Sequence, residues 1–166
     1  MVRICLVASL VLLITAAGAQ AQNINVSLQP TQGNAAKGTV TVMPMGSGVH
    51  FRGTISGLAP GQHGFHIHEM GDCSAPDASS AGGHFNPDNK PHGAPNAPEH
   101  HAGYLGNITA DASGNATVDI HADGLTLGSG ANSVMGKAII VHAGADDFKT
   151  QPTGNAGARL ACGVIQ

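Results

Sequence analysis

Residues 64–68 read Gly64-Phe65-His66-Ile67-His68, and their period of two decides how the chain folds. Two His at i and i+2 fall on one face of a β-strand, about 6.5–7 Å apart along the chain. Outward from this segment the same period recurs. Ile24, Val26 and Leu28 alternate with polar residues, as do Val40 and Val42, then Val49, Phe51 and Ile55, then Val118 and Ile120, then Ile139 and Val141. Gln32-Gly33-Asn34, Ala59-Pro60-Gly61 and Ala112-Ser113-Gly114-Asn115 break the runs as turns. No amphipathic helix longer than two turns is legible. The reading is an all-β antiparallel sandwich or barrel.

Composition agrees with that reading. Of 166 residues only 10% are charged and 3% aromatic, with 24 Gly and no Trp, so the core must be built from Val, Ile, Leu and Ala between many turns. An apolar fraction of 42% without a long charged block excludes a disordered chain. One domain is expected. The N-terminus has the form of a secretory signal: Arg3, an apolar run from Ile4 to Ile14, then small and polar residues from Thr15 to Ala21. Ala17-Gly18-Ala19 and Ala19-Gln20-Ala21 both suit cleavage, and the apolar run is too short to span a bilayer. The expected organisation is a signal over 1–21 and one domain over 22–166, exported to a periplasm or to the extracellular space.

Loss of the signal removes Cys5 and leaves Cys73 and Cys162, an even pair that implies one disulfide in an exported protein. A mild excess of acidic over basic residues argues against nucleic acid, or an anionic membrane, as partner. Ten His is a high count for such a chain. Residues 70–101 are rich in Gly, Pro, Asn and Asp yet carry His84, His92, His100 and His101. Residues 143–158 form a second, shorter stretch of that kind, after His142 at the end of Ala138-Ile139-Ile140-Val141. Loops this long in a compact domain are usually functional. Imidazoles on a strand and in an ordered loop suit copper or zinc, whereas calcium and magnesium prefer oxygen.

Four stretches carry a resemblance: GFHIHEMGDC (64–73), SAGGHFNP (80–87), LGNITAD (105–111) and GNAGARLACGVI (154–165). Together they resemble the copper–zinc superoxide dismutase family from about Ile24 to Ile165. The eleven positions from Cys73 to His84, and the short loop holding DDFKTQPTGN (146–155), are most like its bacterial branch. The resemblance implies a Greek-key antiparallel β-sandwich or flattened barrel with two long functional loops. It places His66, His68, His84 and His142 on a copper ion, and His84, His92 and His101 on a zinc ion, with His84 bridging the two. His101 is preferred to His100 by its spacing from Leu105-Gly106-Asn107. It makes Asp146 the carboxylate that orients a ring of each set. Cys73 and Cys162 become the disulfide, Arg159 the guide for an anionic substrate, and His63 a hydrogen-bonded residue that is no ligand.

The implied activity is dismutation of superoxide to dioxygen and hydrogen peroxide, with His84 carrying a proton and Arg159 holding the substrate. One position departs from the family pattern. Tyr104 stands where an Asp completes the zinc site, and a neutral phenol is a poor zinc ligand. Three outcomes stay open: zinc on three His plus water or phenolate, an empty site, or a carboxylate such as Glu99 taking the place. His50, His100 and His121 match no metal position. Rival readings on the same scaffold are a copper-binding or copper-delivery protein without catalysis and a metal-free structural module. Monomer and homodimer are both left open.

Overall fold

The computed structural model describes residues 22–95 and 97–166, so the expected signal over 1–21 lies outside the described residues. Eight strands follow in order: β1 Ile24–Pro30, β2 Lys37–Met45, β3 Gly48–Ser56, β4 Gly61–His68, β5 Tyr104–Ala110, β6 Ala116–Asp123, β7 Ala138–His142 and β8 Arg159–Val164. Every strand-to-strand pairing is antiparallel, and the sheet closes on itself in the order β1-β2-β3-β6-β5-β4-β7-β8. The connections β3–β4 and β6–β7 cross over non-adjacent strands, which makes the barrel a Greek key. Closure by Gln29↔Cys162 and Pro30↔Ala161 removes the exposed sheet edge.

Alternation dictates the core. Val26, Leu28, Val40, Val42, Val49, Phe51, Ile55, Val118, Ile139 and Val141 all point into one buried cluster with Phe65, Ile67 and Ile108. Polar partners of the same strands stay outside. Turns sit where Gly and Asp require them: Gly114 adopts φ +77, and Asp111 Oδ1 accepts hydrogen bonds from the N–H groups of Ser113 and Asn115.

Strands β4 and β7 break the one-face rule. From Gly64 to His68 every residue is buried, as is every residue of β7. Phe65, Ile67, Ile139 and Val141 fill the barrel, while the outward residues lie beneath loops. Ala138, Ile140 and Cys162 join Ala78, Ala81 and Cys73 in a second small apolar cluster. Residues 69–103 form the covering loop, with a short 3-10 turn at Ser79–Ala81. The loop is stitched to the edge of β4: Phe85 N–H donates to Ile67 O, Ile67 N–H to Gly103 O, and Glu69 N–H to Gly83 O. The shorter loop over 143–158 is tied through Gly64 N–H to Gly144 O and Gly144 N–H to Ala156 O. Both loops therefore meet over the outer face of β4, where the two His of the alternating segment emerge. Among the described residues, no helix is long and apolar enough to cross a membrane.

Candidate metal centre

On β4, His66 and His68 share the outward face, and a register shift between Gly64 and His66 in the pairing with β5 locally twists the strand. A second shift lies between Val141 and His142, in the pairing of β7 with β8. Irregular pairing thus occurs at two of the site imidazoles, where a bulge re-aims a side chain. His84 enters from the long loop through an isolated bridge to His68. The result is convergence: one nitrogen from each of His66, His68, His84 and His142 lies within 4.8 Å of the others, all four residues buried. His84, His92 and His101 form a second buried set to the same tolerance, so His84 belongs to both.

Hydrogen bonds fix which nitrogen each ring turns inward. His68 Nδ1 lies 2.9 Å from Gly82 O and His142 Nδ1 3.2 Å from Gly157 O, which leaves both Nε2 atoms facing each other at 3.4 Å. His92 Nε2 donates to Asp146 Oδ1 at 2.9 Å, and His66 Nε2 lies 3.0 Å from Asp146 Oδ2. Among the described residues, the inward atoms His66 Nδ1, His84 Nε2 and His92 Nδ1 are buried without any hydrogen-bond partner. In the second set His84 Nδ1 and His101 Nδ1 stand 3.3 Å apart. Buried nitrogens turned toward one another without donors are costly in a metal-free fold. A borderline-soft cation at each set would satisfy them, so both sets fit the ions the resemblance implies.

Electrostatics favour the neutral form of the rings. Burial, and then mutual repulsion among the imidazoles, pushes His84 far below the ordinary His range. Burial likewise lowers His68 and His142 to about 3, and lowers His66 and His101. Burial alone would raise the Asp146 carboxyl, but the His66 and His92 rings and the Phe148 N–H hold it down to about 2. Asp146 is itself clamped by an amide: Asn107 Nδ2 donates to Asp146 O, and Asp146 N–H donates to Asn107 Oδ1 at 2.8 Å. Gln151 does the same for His92, accepting its N–H at 2.8 Å and donating to its carbonyl at 2.9 Å. Sequence reading missed both clamps, because a lone amide in a strand or loop carries no periodic mark.

Arg159, at the start of β8, is half-buried beside the four-His set. Its Nη1 donates to Ala78 O and its Nη2 to Gly82 O, each at 2.6 Å. Gly82 O thus receives both Arg159 and the His68 ring. Cys73 and Cys162 form a disulfide that ties the covering loop to β8, three residues beyond Arg159.

The remaining His fall elsewhere. His63 is buried between His142 O and Ala59 O, 2.8 Å from each. His50 and His121 stack across β3 and β6 on the barrel exterior, each against an Asp. His100 turns its Nδ1 to His101 O. Tyr104 is the first residue of β5 and only 2% exposed. Burial, and then the Asp146 charge, pushes its phenol well above the ordinary range, away from phenolate. Glu99 is exposed and does not join the three-His set.

Comparison with known proteins identifies the family. The family model for copper/zinc superoxide dismutase matches residues 36–165. The chain is 46% identical over 139 residues to superoxide dismutase (Cu-Zn) 2 of Mesembryanthemum crystallinum, covering 80% of this chain and 88% of that one. It is 44% identical over 134 residues to an extracellular superoxide dismutase (Cu-Zn) of Caenorhabditis elegans, covering 77% of this chain and 60% of the longer relative. A solved structure of the clock protein EA4 superposes with a TM-score of 0.77 at 40% identity, over 86% of this chain and 92% of that one. With the match spanning most of the barrel and both His sets, this chain belongs to the copper/zinc superoxide dismutase family.

Proposed function

We propose that the protein removes superoxide in an exported compartment, converting two superoxide anions and two protons into dioxygen and hydrogen peroxide. The observation that carries this reading is the convergence of His66, His68, His84 and His142 beside the anchored guanidinium of Arg159. Those four rings would hold copper, which would supply the one-electron redox chemistry.

The chain's own groups do the rest. Arg159 stays charged at any physiological pH and, pinned by two carbonyls, presents a fixed positive end to a small anion. On a net-negative chain such a local positive site concentrates the substrate where it reacts, an effect for which superoxide dismutase is itself a standard example. His84 belongs to both sets, and a proton taken on its ring and released to the reduced product would serve the second half-reaction. His84, His92 and His101 would hold zinc, with Asp146 orienting His66 and His92 across the boundary between the two sets. Among the described residues no carboxylate joins that second set: Asp146 turns both oxygens to ring Nε2 atoms, and burial disfavours the phenolate of Tyr104.

Export over the signal at 1–21 is consistent with the Cys73–Cys162 disulfide, which persists in oxidising compartments. The test is metal analysis alongside superoxide consumption on the exported chain. One copper per chain with fast, chelator-sensitive consumption supports the enzyme. Copper bound at one per chain without consumption supports the delivery reading, and no copper uptake rejects both.

A further inference from the structure

Tyr104 sits opposite His66 in the pairing of β5 with β4, immediately beyond the register shift. Directly opposed residues of an antiparallel pair share a face. Their rings accordingly stack, with centroids 5.1 Å apart and planes at 26°. On its other side the phenol meets His92 edge-on, at 4.9 Å and 85°. Phe148, on the rim of the short loop at 39% exposure, closes over it at 6.0 Å and 88°. The ring is therefore wedged between one imidazole of the four-His set and one of the three-His set, with an aromatic lid. Its hydroxyl is buried, and so is Asp146 Oδ2; among the described residues neither has a hydrogen-bond partner.

A closed tetrahedral ion would hold His92 and its loop against the barrel by ligation. Here an aromatic wedge holds the same parts by packing. Stacked and edge-to-face arrangements are the preferred geometries of aromatic pairs, and Tyr104 makes one of each with the two rings whose orientation Asp146 shares. We infer that Tyr104 is a positioning residue that keeps the four-His site in its working geometry without an ion in the three-His site. This inference rests on the proposed copper function. It extends it by making the copper site independent of the second metal.

The experiment uses the exported chain loaded with copper alone, or with copper and zinc, read by the Cu(II) paramagnetic resonance spectrum. In the wild-type protein the copper-only spectrum should be that of a single species. Tyr104→Phe keeps the wedge and should match the wild type. Tyr104→Leu should shift the copper-only spectrum or split it into more than one species, with zinc restoring a single one. A copper-only Tyr104→Leu spectrum identical to wild type overturns the inference, as does a copper-only wild-type spectrum that already holds more than one species. Where Tyr104→Leu does not fold, Phe148→Ala on the exposed rim carries the same comparison. If the wild type takes up no copper, the functional reading fails on its own. The wedge is then judged on the metal-free chain. Sharp His66 and His92 imidazole resonances in Tyr104→Phe, broadened in Tyr104→Leu, support it, and sharp resonances in both reject it.

Discussion

Gly154 packs against Asp146 so closely that a β-carbon at position 154 would overlap the Asp146 carboxylate. Gly154 also has φ +65, in the left-handed region that favours glycine. The carboxylate that orients a ring of each His set is thus seated on a bare α-carbon at the end of the short loop. Gly154→Ala should displace Asp146, lower thermal stability, and loosen both ring orientations. Copper retention against a competing chelator should fall about 10- to 100-fold, the usual range for losing an outer-shell partner. Unchanged copper retention would show that Asp146 relaxes without consequence.

Replacing Arg159 by Gln removes the fixed charge and keeps a polar side chain at that position. Superoxide consumption should slow about tenfold or more, and its dependence on ionic strength should flatten, while copper content stays at the wild-type level. Pulse-radiolysis rates from low to high salt check this. Parallel salt curves for the two proteins would remove Arg159 from the guiding role.

Metal-free protein should lose stability in acid. His68 and His142 have values near 3 when folded, against 6.5 for an ordinary imidazole. Between those limits the unfolded chain binds protons that the folded one refuses, so stability falls as pH drops through that window. The slope is up to about 1.4 kcal/mol per pH unit for each ring. Asp146, held at about 2, adds loss in the same direction below its ordinary 3.8. Urea midpoints of the metal-free chain, compared near pH 7.5, pH 6 and pH 4.5, should decline steadily. A flat series would mean that the rings are protonated in the folded state.

Tyr104→Asp exchanges the aromatic wedge for a carboxylate beside the three-His set. Zinc content and the zinc-dependent rise in melting temperature should both increase over wild type, with copper content unchanged. Equal zinc occupancy in the two proteins would show that three imidazoles suffice.

Cys73→Ser paired with Cys162→Ser opens a link 89 residues apart in sequence. Loop-closure entropy puts the loss at about 2–5 kcal/mol. The disulfide belongs to the small apolar cluster beneath the loop that carries Ala78, whose carbonyl receives Arg159. Catalytic rate should therefore fall along with stability. Chemical denaturation and turnover on the same samples check both, and intact turnover would detach the disulfide from Arg159 positioning.

The alternating residues by themselves determined an all-β antiparallel sandwich or barrel, and the pairing of β1 with β8 decided that the sheet closes. Val26 and Leu28, Val40 and Val42, and Ile139 and Val141 must share a face at period two, and only a closed or stacked sheet buries them all. The same period placed His66 and His68 side by side, and the family stretches named the other site residues. Local order could not show what depends on distant chain segments meeting. The amide clamps of Asn107 on Asp146 and Gln151 on His92 join positions 39 and 59 residues apart. Tyr104 was legible only as a missing carboxylate. Its wedged place between His66 and His92 follows from the register of β5 on β4 and the descent of a long loop onto both. Periodicity reports which way a side chain faces, and tertiary packing alone decides what it faces.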